Sequence, residues 1–412
     1  MIAALLALGC LSPLQEDEPG DFLDWARTLG DLDKRVSWGD LDLQIGGETI
    51  LEFLAWSGSD APGVAVEGPA LRSGRYRRSH PPQSPVFDGW LDLTLDAWYQ
   101  KWVAAFVQGR LDGTTAGQGV VGERVEQAWI RFMIPDEPAA SLEVGKFAAP
   151  IGNFIERSDP RKNPLTTWPL AYDYVTAFAG LKEGRAALVA NRTAPTFYDW
   201  YVPIWEEVYG TGAMESGSLK NFSYAVAVMN AAPGTQPDAW TFRAGDFRYP
   251  NVYAHASWSP DITTRIGLTG SRGPFEHDNG PGTPPGEHAG QWPQTLAGVD
   301  LSFSKGSLEV WAEAYWTRFE SPAVRRLDLW TWYVEAKYTF LPGLFGALRV
   351  AQITFDDALG HQWDTDQTRV EVGGGYFFTR NLFLKATVQV NVETGAGDRP
   401  QAMLMLQLGL TF

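Results

Sequence analysis

The sequence has 412 residues with a formal net charge of −16, and this acidic balance disfavours nucleic acid as a partner because phosphates would be repelled. One cysteine excludes an intrachain disulfide scaffold. No stretch approaches the roughly 18 consecutive apolar residues of a membrane-spanning helix, whereas 18 Trp, 43 Gly and 27 Pro indicate many turns and many interfacial rings.

The chain begins with an apolar segment. Residues 1–12 resemble the core of a secretory signal peptide, without the preceding Lys or Arg, as a truncated start would leave it. Cys10 ends an imperfect lipobox-like run and is a lipidation candidate, with simple cleavage nearby as the alternative. Residues 13–39, which include an acidic stretch, are predicted to be a periplasmic N-terminal segment.

From residue 40 onward, apolar and polar residues alternate over long runs. In 330–340 the even positions are Trp, Val, Ala, Tyr and Phe, and in 385–393 Ala and Val alternate with polar residues. Successive side chains of a strand point to opposite faces, so these runs predict strands with one apolar face. Strands are predicted near 40–56, 89–110, 122–134, 139–149, 203–213, 218–231, 239–248, 251–259, 262–272, 294–304, 306–318, 328–341, 344–356, 367–378, 381–394 and 400–412.

The pattern of strands and links predicts one membrane-embedded unit. The strands have the length of a tilted bilayer span, aromatic residues sit near their ends, and short and long links alternate. We therefore expect an all-β fold over 40–412, a transmembrane antiparallel up-and-down β-barrel of about 16 strands, between about 14 and 18. Long loops are predicted near 57–88, 150–202 and 273–293, and the second is aromatic enough to fold inward.

Two stretches resemble known outer-membrane proteins. The chain ends in Phe412 on an alternating strand, which resembles the C-terminal signal read by the barrel insertion machinery. Residues 142–152, Leu-Glu-Val-Gly-Lys-Phe-Ala-Ala-Pro-Ile-Gly, are similar to a motif of the phosphate-selective porin O/P superfamily, and 125–130 resemble the strand before it. The resemblance implies a porin in a bacterial-type outer membrane. Because 150–202 holds only two lysines, the family's phosphate selectivity is not carried over.

A barrel of this size encloses a water-filled lumen, and its narrowest ring sets selectivity. The predicted function is passive diffusion of small polar or ionic solutes through an outer-membrane porin. Cations of the long loop are expected to oppose wall carboxylates that alternation assigns to the lumen; the alternative is that they pair and hold the loop in place. The cations are Arg157, Arg161, Lys162, Arg185 and Arg192, and the carboxylates are Asp92, Asp96, Glu309, Glu313, Glu335 and Glu371.

Aromatic residues also fall on the predicted lumen face. Trp311, Tyr315 and Tyr333 alternate inward on neighbouring strands. Aromatic faces stack on sugar rings, and nearby carboxylates accept hydroxyl hydrogen bonds, so these residues raise sugar uptake as a possibility. The simpler interpretation is that the rings pack against an inserted loop.

No cofactor is expected. One loop carries an acidic cluster that could bind Ca²⁺ weakly, and a solvated acidic loop is the simpler interpretation. The cluster consists of Asp356, Asp357, Asp364 and Asp366. The partners expected are outer-membrane lipid, the insertion machinery and small solutes, and fold analogy adds a homotrimer.

Two other functional classes stay open. One is a structural or adhesion barrel with a plugged lumen. The other is an outer-membrane lipid-modifying enzyme, which would need Ser and His on one surface. His255 shares a strand face with Ser257, and His80 follows Ser79, but neither pair forms a recognisable motif.

Overall fold

The structure of the chain is a computed structural model, and the regular secondary structure of its described residues is almost entirely β-strand. Among the residues that it describes, no helix is long and apolar enough to cross a membrane. The described residues are 34–57, 86–114, 122–134, 139–178, 180–181, 186, 188, 201–205, 208–235, 247–276, 286–358, 360–393 and 401–412. The signal-like segment and Cys10 lie outside them.

Seventeen strands occur in the described residues. A single-turn helix, α1 (Leu170–Asp173), lies in the long link between the sixth and seventh strands. The strands are β1 (Lys34–Trp38), β2 (Leu41–Ser57), β3 (Val86–Tyr99), β4 (Val103–Thr114), β5 (Gly122–Ile134), β6 (Ala139–Ala148), β7 (Tyr209–Leu219), β8 (Phe222–Met229), β9 (Asn251–Trp258), β10 (Thr264–Pro274), β11 (Pro293–Lys305), β12 (Leu308–Ser321), β13 (Arg325–Leu341), β14 (Leu344–Phe355), β15 (Gln367–Phe377), β16 (Leu382–Glu393) and β17 (Gln401–Thr411).

The strands β2 to β17 form a closed ring. Each pairs antiparallel with the next, and β17 pairs back onto β2 from Ala402 opposite Ser57 to Thr411 opposite Glu48. Closure leaves no free edge, which is what a sheet in hydrocarbon requires. The predicted 16-stranded up-and-down barrel is confirmed. The short β1, within the predicted N-terminal segment, pairs with β2 just beyond the end of β17.

The links alternate in length around the ring. The hairpins β3–β4, β7–β8, β11–β12 and β13–β14 have tight turns at one end, whereas the connections that follow β2, β6, β8, β10 and β14 at the other end are long. The chain ends at the short-turn end. Outer-membrane barrels place short turns in the periplasm and long loops outside, and this rule orients the molecule.

The outer surface of the barrel is apolar. On β13, the outward residues Trp330, Trp332, Val334, Tyr338 and Phe340 are all more than a third exposed, whereas the inward Tyr333 and Glu335 are buried. Exposed aromatic residues concentrate at the short-turn end, where lipid headgroups meet hydrocarbon. They include Trp38, Tyr99, Trp102, Phe132, Phe222, Tyr224, Trp258, Tyr338, Phe340, Tyr376 and Phe378.

One predicted strand is wrong, because 89–110 is two strands, β3 and β4. The turn between them carries no Gly or Pro, and Gln100 has a φ of 50°, which is unusual for a residue with a side chain. Asp40, in the turn before β2, accepts hydrogen bonds from both the Gln100 backbone N–H, at 2.9 Å, and its Nε2, at 3.0 Å. A tertiary contact therefore supports a turn that local sequence does not signal.

The predicted strand 239–248 is not one of the strands of the described ring. Most of the predicted strand 239–248 lies outside the described residues, but 247–250 form a short turn, and β8 pairs directly with β9. The prediction at 203–213 is shifted, since β7 begins at Tyr209. The division of 89–110 into two strands and the absence of 239–248 from the ring offset one another in the strand count.

Candidate functional site in the barrel lumen

The long link between β6 and β7 folds into the barrel. Its described part, which begins at Pro150, makes hydrogen bonds to inward-facing side chains of the five consecutive strands β12 to β16. We call this part of the link the inserted loop. It is therefore fastened to one half of the barrel wall.

Glu313 on β12 accepts hydrogen bonds from the start of the inserted loop. Its Oε1 accepts the backbone N–H of Asn153 at 2.6 Å and of Phe154 at 2.8 Å, and its Oε2 accepts the Tyr172 hydroxyl at 2.7 Å. Three donors from two turns of the loop converge on one buried carboxylate. Charge-assisted bonds of this kind are stronger than neutral ones, so Glu313 is an anchor of the loop.

A chain of buried ion pairs follows Glu313 around the wall. Arg157 of the inserted loop donates from Nη1 to Glu335 and from Nη2 to the Tyr333 hydroxyl, at 3.0 Å. The other oxygen of Glu335 accepts Arg349 Nε at 2.6 Å, and Arg349 Nη1 reaches Glu371 at 3.1 Å. Opposite charges alternate along β13, β14 and β15, which offsets the cost of burying each one.

Arg349 also binds the inserted loop itself. Its Nη1 donates to the Thr167 carbonyl at 2.9 Å, and its Nη2 donates to Asn163 Oδ1 at 3.0 Å. The Thr167 hydroxyl in turn donates to Glu371. One wall guanidinium thus joins two carboxylates and two loop residues.

Lys385 on β16 binds only loop backbone. Its Nζ donates to the carbonyls of Pro160, Asn163 and Leu165, at 2.7, 3.0 and 3.3 Å. An ammonium group has three donors, and here all three are used. The loop is thereby held where it turns back toward the wall.

Four buried cations and four buried carboxylates take part in these contacts between the inserted loop and the wall. The set includes Arg369, whose Nη1 donates to Asp173 of α1 at 2.5 Å. All members are less than a tenth exposed, so an unpaired one would be costly. The cations are Arg157, Arg349, Arg369 and Lys385, and the carboxylates are Glu313, Glu335, Glu371 and Asp173.

The three aromatic residues predicted on the lumen face do lie there, in contact with the inserted loop. Tyr315 and Tyr333 are 1% exposed, and the Tyr315 hydroxyl is 3.1 Å from that of Tyr172. The ring of Trp311 lies 4.3 Å below the Arg157 guanidinium. Because these rings are covered, the structure favours the packing interpretation over sugar stacking at this place.

The opposite half of the lumen holds a large open space. A cavity of about 1330 Å³ lies between the inserted loop and the wall formed by β2 to β9, and it reaches the short-turn end. We call it the lumen cavity. Its charged lining residues are Glu48, Asp92, Arg110, Arg131, Glu143, Glu156, Asp159, Arg161, Lys162, Arg265 and Arg380.

Two of the predicted loop cations face this cavity. Arg161 and Lys162 are exposed, and in the part of the chain that the structure describes neither charged group is paired with a carboxylate. Lys162 Nζ has only a 3.4 Å contact with the Glu156 carbonyl. Arg157, by contrast, is buried in the ion-pair chain. Arg185 and Arg192 lie outside the described residues.

Two wall carboxylates of the cavity, Asp92 and Glu143, have arginine partners, and Glu48 on β2 lines the cavity as a third. Asp92 receives two hydrogen bonds from Arg110, one of them at 2.6 Å, and Arg110 also lies 3.4 Å from Glu126. Arg131 donates to Glu143 at 2.7 Å. The sequence analysis did not identify Arg110 and Arg131 as lumen residues. Extending the alternation around Asp92 to the neighbouring strands would have placed Arg110 on the lumen face.

The two remaining wall carboxylates are less buried. Asp96 lies on β3 in phase with Asp92, beside Phe106 of β4. Glu309 accepts a hydrogen bond from Lys337 at 2.7 Å near the short-turn end, with about a quarter of each side chain exposed. Neither contacts the inserted loop through a described hydrogen bond.

His255, the histidine considered for an enzymatic site, lies on the lumen side of the barrel wall. His255 Nε2 is 2.9 Å from Asp300, while the Ser257 hydroxyl contacts Ser223 at 2.7 Å and accepts from Arg265 at 3.1 Å. No hydrogen bond between His255 and Ser257 occurs in the described residues, so the base and nucleophile of a triad are not joined. His80 lies outside those residues.

The acidic loop after β14 is bound to itself and to the inserted loop. Asp364 accepts the Ala177 N–H at 2.7 Å, and Asp366 accepts the Phe355 N–H at 2.9 Å. Burial, with repulsion from neighbouring carboxylates, raises the pKa of Asp356. No group of three or more potential ligands is arranged for a metal in the described residues. Calcium binding there, including Asp357, stays a prediction.

Comparison with known proteins identifies the fold. OmpF of Salmonella typhi, solved with daunomycin, matches with a TM-score of 0.57 at 10% identity, over 92% of this chain and 100% of its own. An anion-selective porin of Comamonas acidovorans matches at 0.56 and 8%, over 90% and 100%. DcaP, an outer membrane channel of Acinetobacter baumannii, matches at 0.52 and 10%, over 91% and 99%.

Sequence comparison adds no closer relative. No family model matches the chain, and no curated protein matches it. The closed barrel with its apolar outer band is the outer-membrane type of transmembrane barrel, and the chain has the fold of outer-membrane porins. The resemblance to the phosphate-selective O/P superfamily stays a prediction.

Proposed function

We propose that this protein is an outer-membrane porin through which small polar or ionic solutes diffuse passively. The observation that carries the proposal is the asymmetry of the lumen. The inserted loop is hydrogen-bonded to the wall from β10 to β16, and the half bounded by β2–β9 keeps a cavity of about 1330 Å³ with a charged lining. A fastened loop beside an open polar space narrows a pore without filling it.

We further propose a preference for anions. The wall carboxylates Asp92 and Glu143 are paired with arginines, and Glu156 lies 3.3 Å from Arg265. On the loop surface Arg161 and Lys162 are exposed, and the neighbouring carboxylate of Asp159 is half-buried. Charge at the narrowest part of a pore sets its selectivity more than the net charge of the chain does.

The test of passive diffusion is swelling of vesicles that contain the refolded protein. Neutral solutes of graded size should enter at rates that fall steeply with size, since entry depends on the free cross-section beside the inserted loop. Entry that is absent for every solute would favour the plugged structural barrel, the second candidate, which the dense fastening of the loop supports.

The test of charge preference is the reversal potential across a KCl gradient. We expect wild-type protein to favour Cl⁻, and Arg161→Gln with Lys162→Gln to lower the Cl⁻/K⁺ permeability ratio. At roughly 7 Å in water a unit charge contributes about 0.6 kcal/mol, a factor of about 2 to 3, before salt screening. The matched control is Lys305→Gln, an exposed cation at the end of β11 that does not line the cavity. An unchanged ratio in the double variant would contradict the assignment.

Two partner predictions accompany this function. We propose that the barrel insertion machinery recognises the terminal Phe412, because this residue lies at the end of the closing strand. Assembly as a homotrimer also stays a prediction, and one fold neighbour, OmpT of Vibrio cholerae, is described in a trimer form.

A further inference from the structure

A charged patch lies on the outside of the barrel at the long-loop end of β10 to β13. On these strands the outward residues change from apolar to charged, or on β11 to Thr295, within one step of the pleat. We call the following residues the rim patch: Arg272, Thr295, Arg318, Glu320, Arg326 and Asp328.

The strand register places the rim patch on one face. Arg318 lies opposite Asp328 and Glu320 opposite Arg326 on β12 and β13, and residues opposite one another share a face. Arg272 of β10 donates to Thr295 of β11 at 2.6 Å. The face is the outer one, because it continues the line of exposed Trp330.

The rim patch lies at the depth of lipid headgroups. Outward apolar rows on β12 and β13 run from Leu308 and Tyr338 to Trp316 and Trp330, a span of eight residues. Eight residues measure about 26 Å along a strand, or roughly 20 Å of height at a tilt of about 40°. Trp residues mark the border of the hydrocarbon. The charged rows start immediately beyond that border, on the outer-leaflet side.

The cations of the patch exceed its carboxylates by one, since three arginines face two acids. Arg318 is held by Asp328, with nitrogen–oxygen distances of 2.6 and 3.0 Å. Arg272 is 60% exposed, donates from Nη1 to Thr295, and lies 3.4 Å from its one described carboxylate partner, Glu320. Arg326 is exposed, and no described carboxylate pairs with it. Two guanidinium groups therefore keep donors free.

We propose that the rim patch binds the phosphate of a lipid headgroup in the outer leaflet, through Arg272 and Arg326. Every cation in the patch is an arginine, and the planar guanidinium matches phosphate with two parallel hydrogen bonds. The acyl chains of such a lipid would lie on the apolar rows directly below. The patch faces away from the lumen, so this inference goes beyond the proposed channel function and does not depend on conduction.

The experiment titrates the full-length, detergent-solubilised protein with a bis-phosphorylated glycolipid and measures binding by native mass spectrometry. We expect Arg272→Gln with Arg326→Gln to weaken binding about tenfold or more, and the same glycolipid without phosphates to bind wild type as weakly. The control Lys305→Gln should bind as wild type does. Inorganic phosphate alone should not displace the lipid, since it lacks the apolar contacts.

Folding and function are monitored in parallel. Heat-modifiable gel mobility shows whether the double variant forms the barrel. If the double variant does not fold, the two single-arginine variants are tested in its place. Equal binding by wild type and variant, or equal binding of the phosphate-free glycolipid, would overturn the proposal. So would a change in oligomeric state without a change in lipid affinity, because the patch would then contact a second copy. A non-conducting protein with normal lipid binding would count against the channel alone.

Discussion

Gly47 and Phe412 meet at the seam where the barrel closes. The backbone N–H of Gly47 donates to the Phe412 carbonyl at 2.8 Å, and the N–H of Phe412 donates to the Gly47 carbonyl at 2.9 Å. A Cβ on Gly47 would lie 2.8 Å from Cζ of the Phe412 ring and 2.5 Å from the Asp92 carbonyl. The missing side chain therefore makes room for the terminal ring.

At the residue scale we predict that Gly47→Ala destabilises the closed barrel. Inserting a methyl group into a packed contact costs about 1–3 kcal/mol, and this one also presses on the last residue of the closing strand. The measurement is the urea midpoint of the refolded protein in vesicles, followed by gel mobility. Gly270→Ala is the control, because its Cβ would meet only the Leu296 carbonyl, at 3.9 Å. Equal midpoints would show that the ring does not require Gly47.

Alternation predicted which way side chains face, but it did not predict what they touch. Glu313, Glu335 and Glu371 do point inward, as the period of two requires. Their partners come from a loop some 150 to 200 residues earlier in the chain, as with Asn153 and Glu313, and no local pattern encodes that contact. The same alternation applied to cations would have placed Arg349 inward as well.

At the element scale, the inserted loop is held by a row of consecutive strands. Each of β12 to β16 contributes at least one buried polar anchor, and four buried cations and four buried carboxylates take part in the contacts. In such an arrangement, replacing any one charged partner is strongly destabilising, because the opposite charge is left buried and unpaired. The loop's position in the lumen is therefore sensitive to single substitutions.

We predict that Glu335→Gln loosens the inserted loop. Glu335 binds both Arg157 and Arg349, and breaking a buried pair costs about 3–5 kcal/mol. Single-channel currents should become larger and noisier, and trypsin should cleave after Arg161 or Lys162 faster than in wild type. Glu309→Gln is the matched control, since its partly exposed pair with Lys337 is worth about 1 kcal/mol or less. A loop equally protected in both variants would refute the role of Glu335 as an anchor.

The strand predictions failed where turns depend on distant contacts. The β3–β4 turn lacks Gly and Pro and is supported by Asp40, so the run 89–110 read as one strand. On β13 and β16, where tight turns with Pro, Gly or Asn flank strict alternation, the predicted and observed bounds agree within three residues. Local turn chemistry thus decided which boundaries could be predicted.

At the scale of the whole molecule, the outer surface sorts residues by depth. The middle outward rows of β12 and β13 are apolar, aromatic residues lie at the short-turn border, and charges begin beyond the Trp rows at the other end. This order is the one that a bilayer imposes. Alternation predicted the apolar outward face and the aromatic residues near strand ends, but not the charged rows beyond the Trp residues.

The depth order predicts unequal effects of a charge on one strand. Val334 lies in the middle of the apolar rows, and Phe340 lies near the strand end. We expect Val334→Arg to destabilise the barrel in vesicles by about 2–4 kcal/mol, and Phe340→Arg by about 1 kcal/mol or less in its charge term. Denaturant titration of the two variants in the same lipid measures the difference. Equal losses would contradict the assigned membrane depth.

The barrel is filled on one side and open on the other. The inserted loop accounts for the buried charges on β12–β16, and the lumen cavity accounts for the exposed Arg161 and Lys162. A porin needs both features, a support for the constriction and a water-filled path beside it.

The most direct test is the single-channel conductance of refolded wild-type protein in a planar lipid bilayer. We predict stable, stepwise currents, with a reversal potential that favours Cl⁻ in a KCl gradient. A heat-modifiable, correctly folded barrel that inserts and never conducts would contradict this prediction, and would show that the inserted loop closes the lumen.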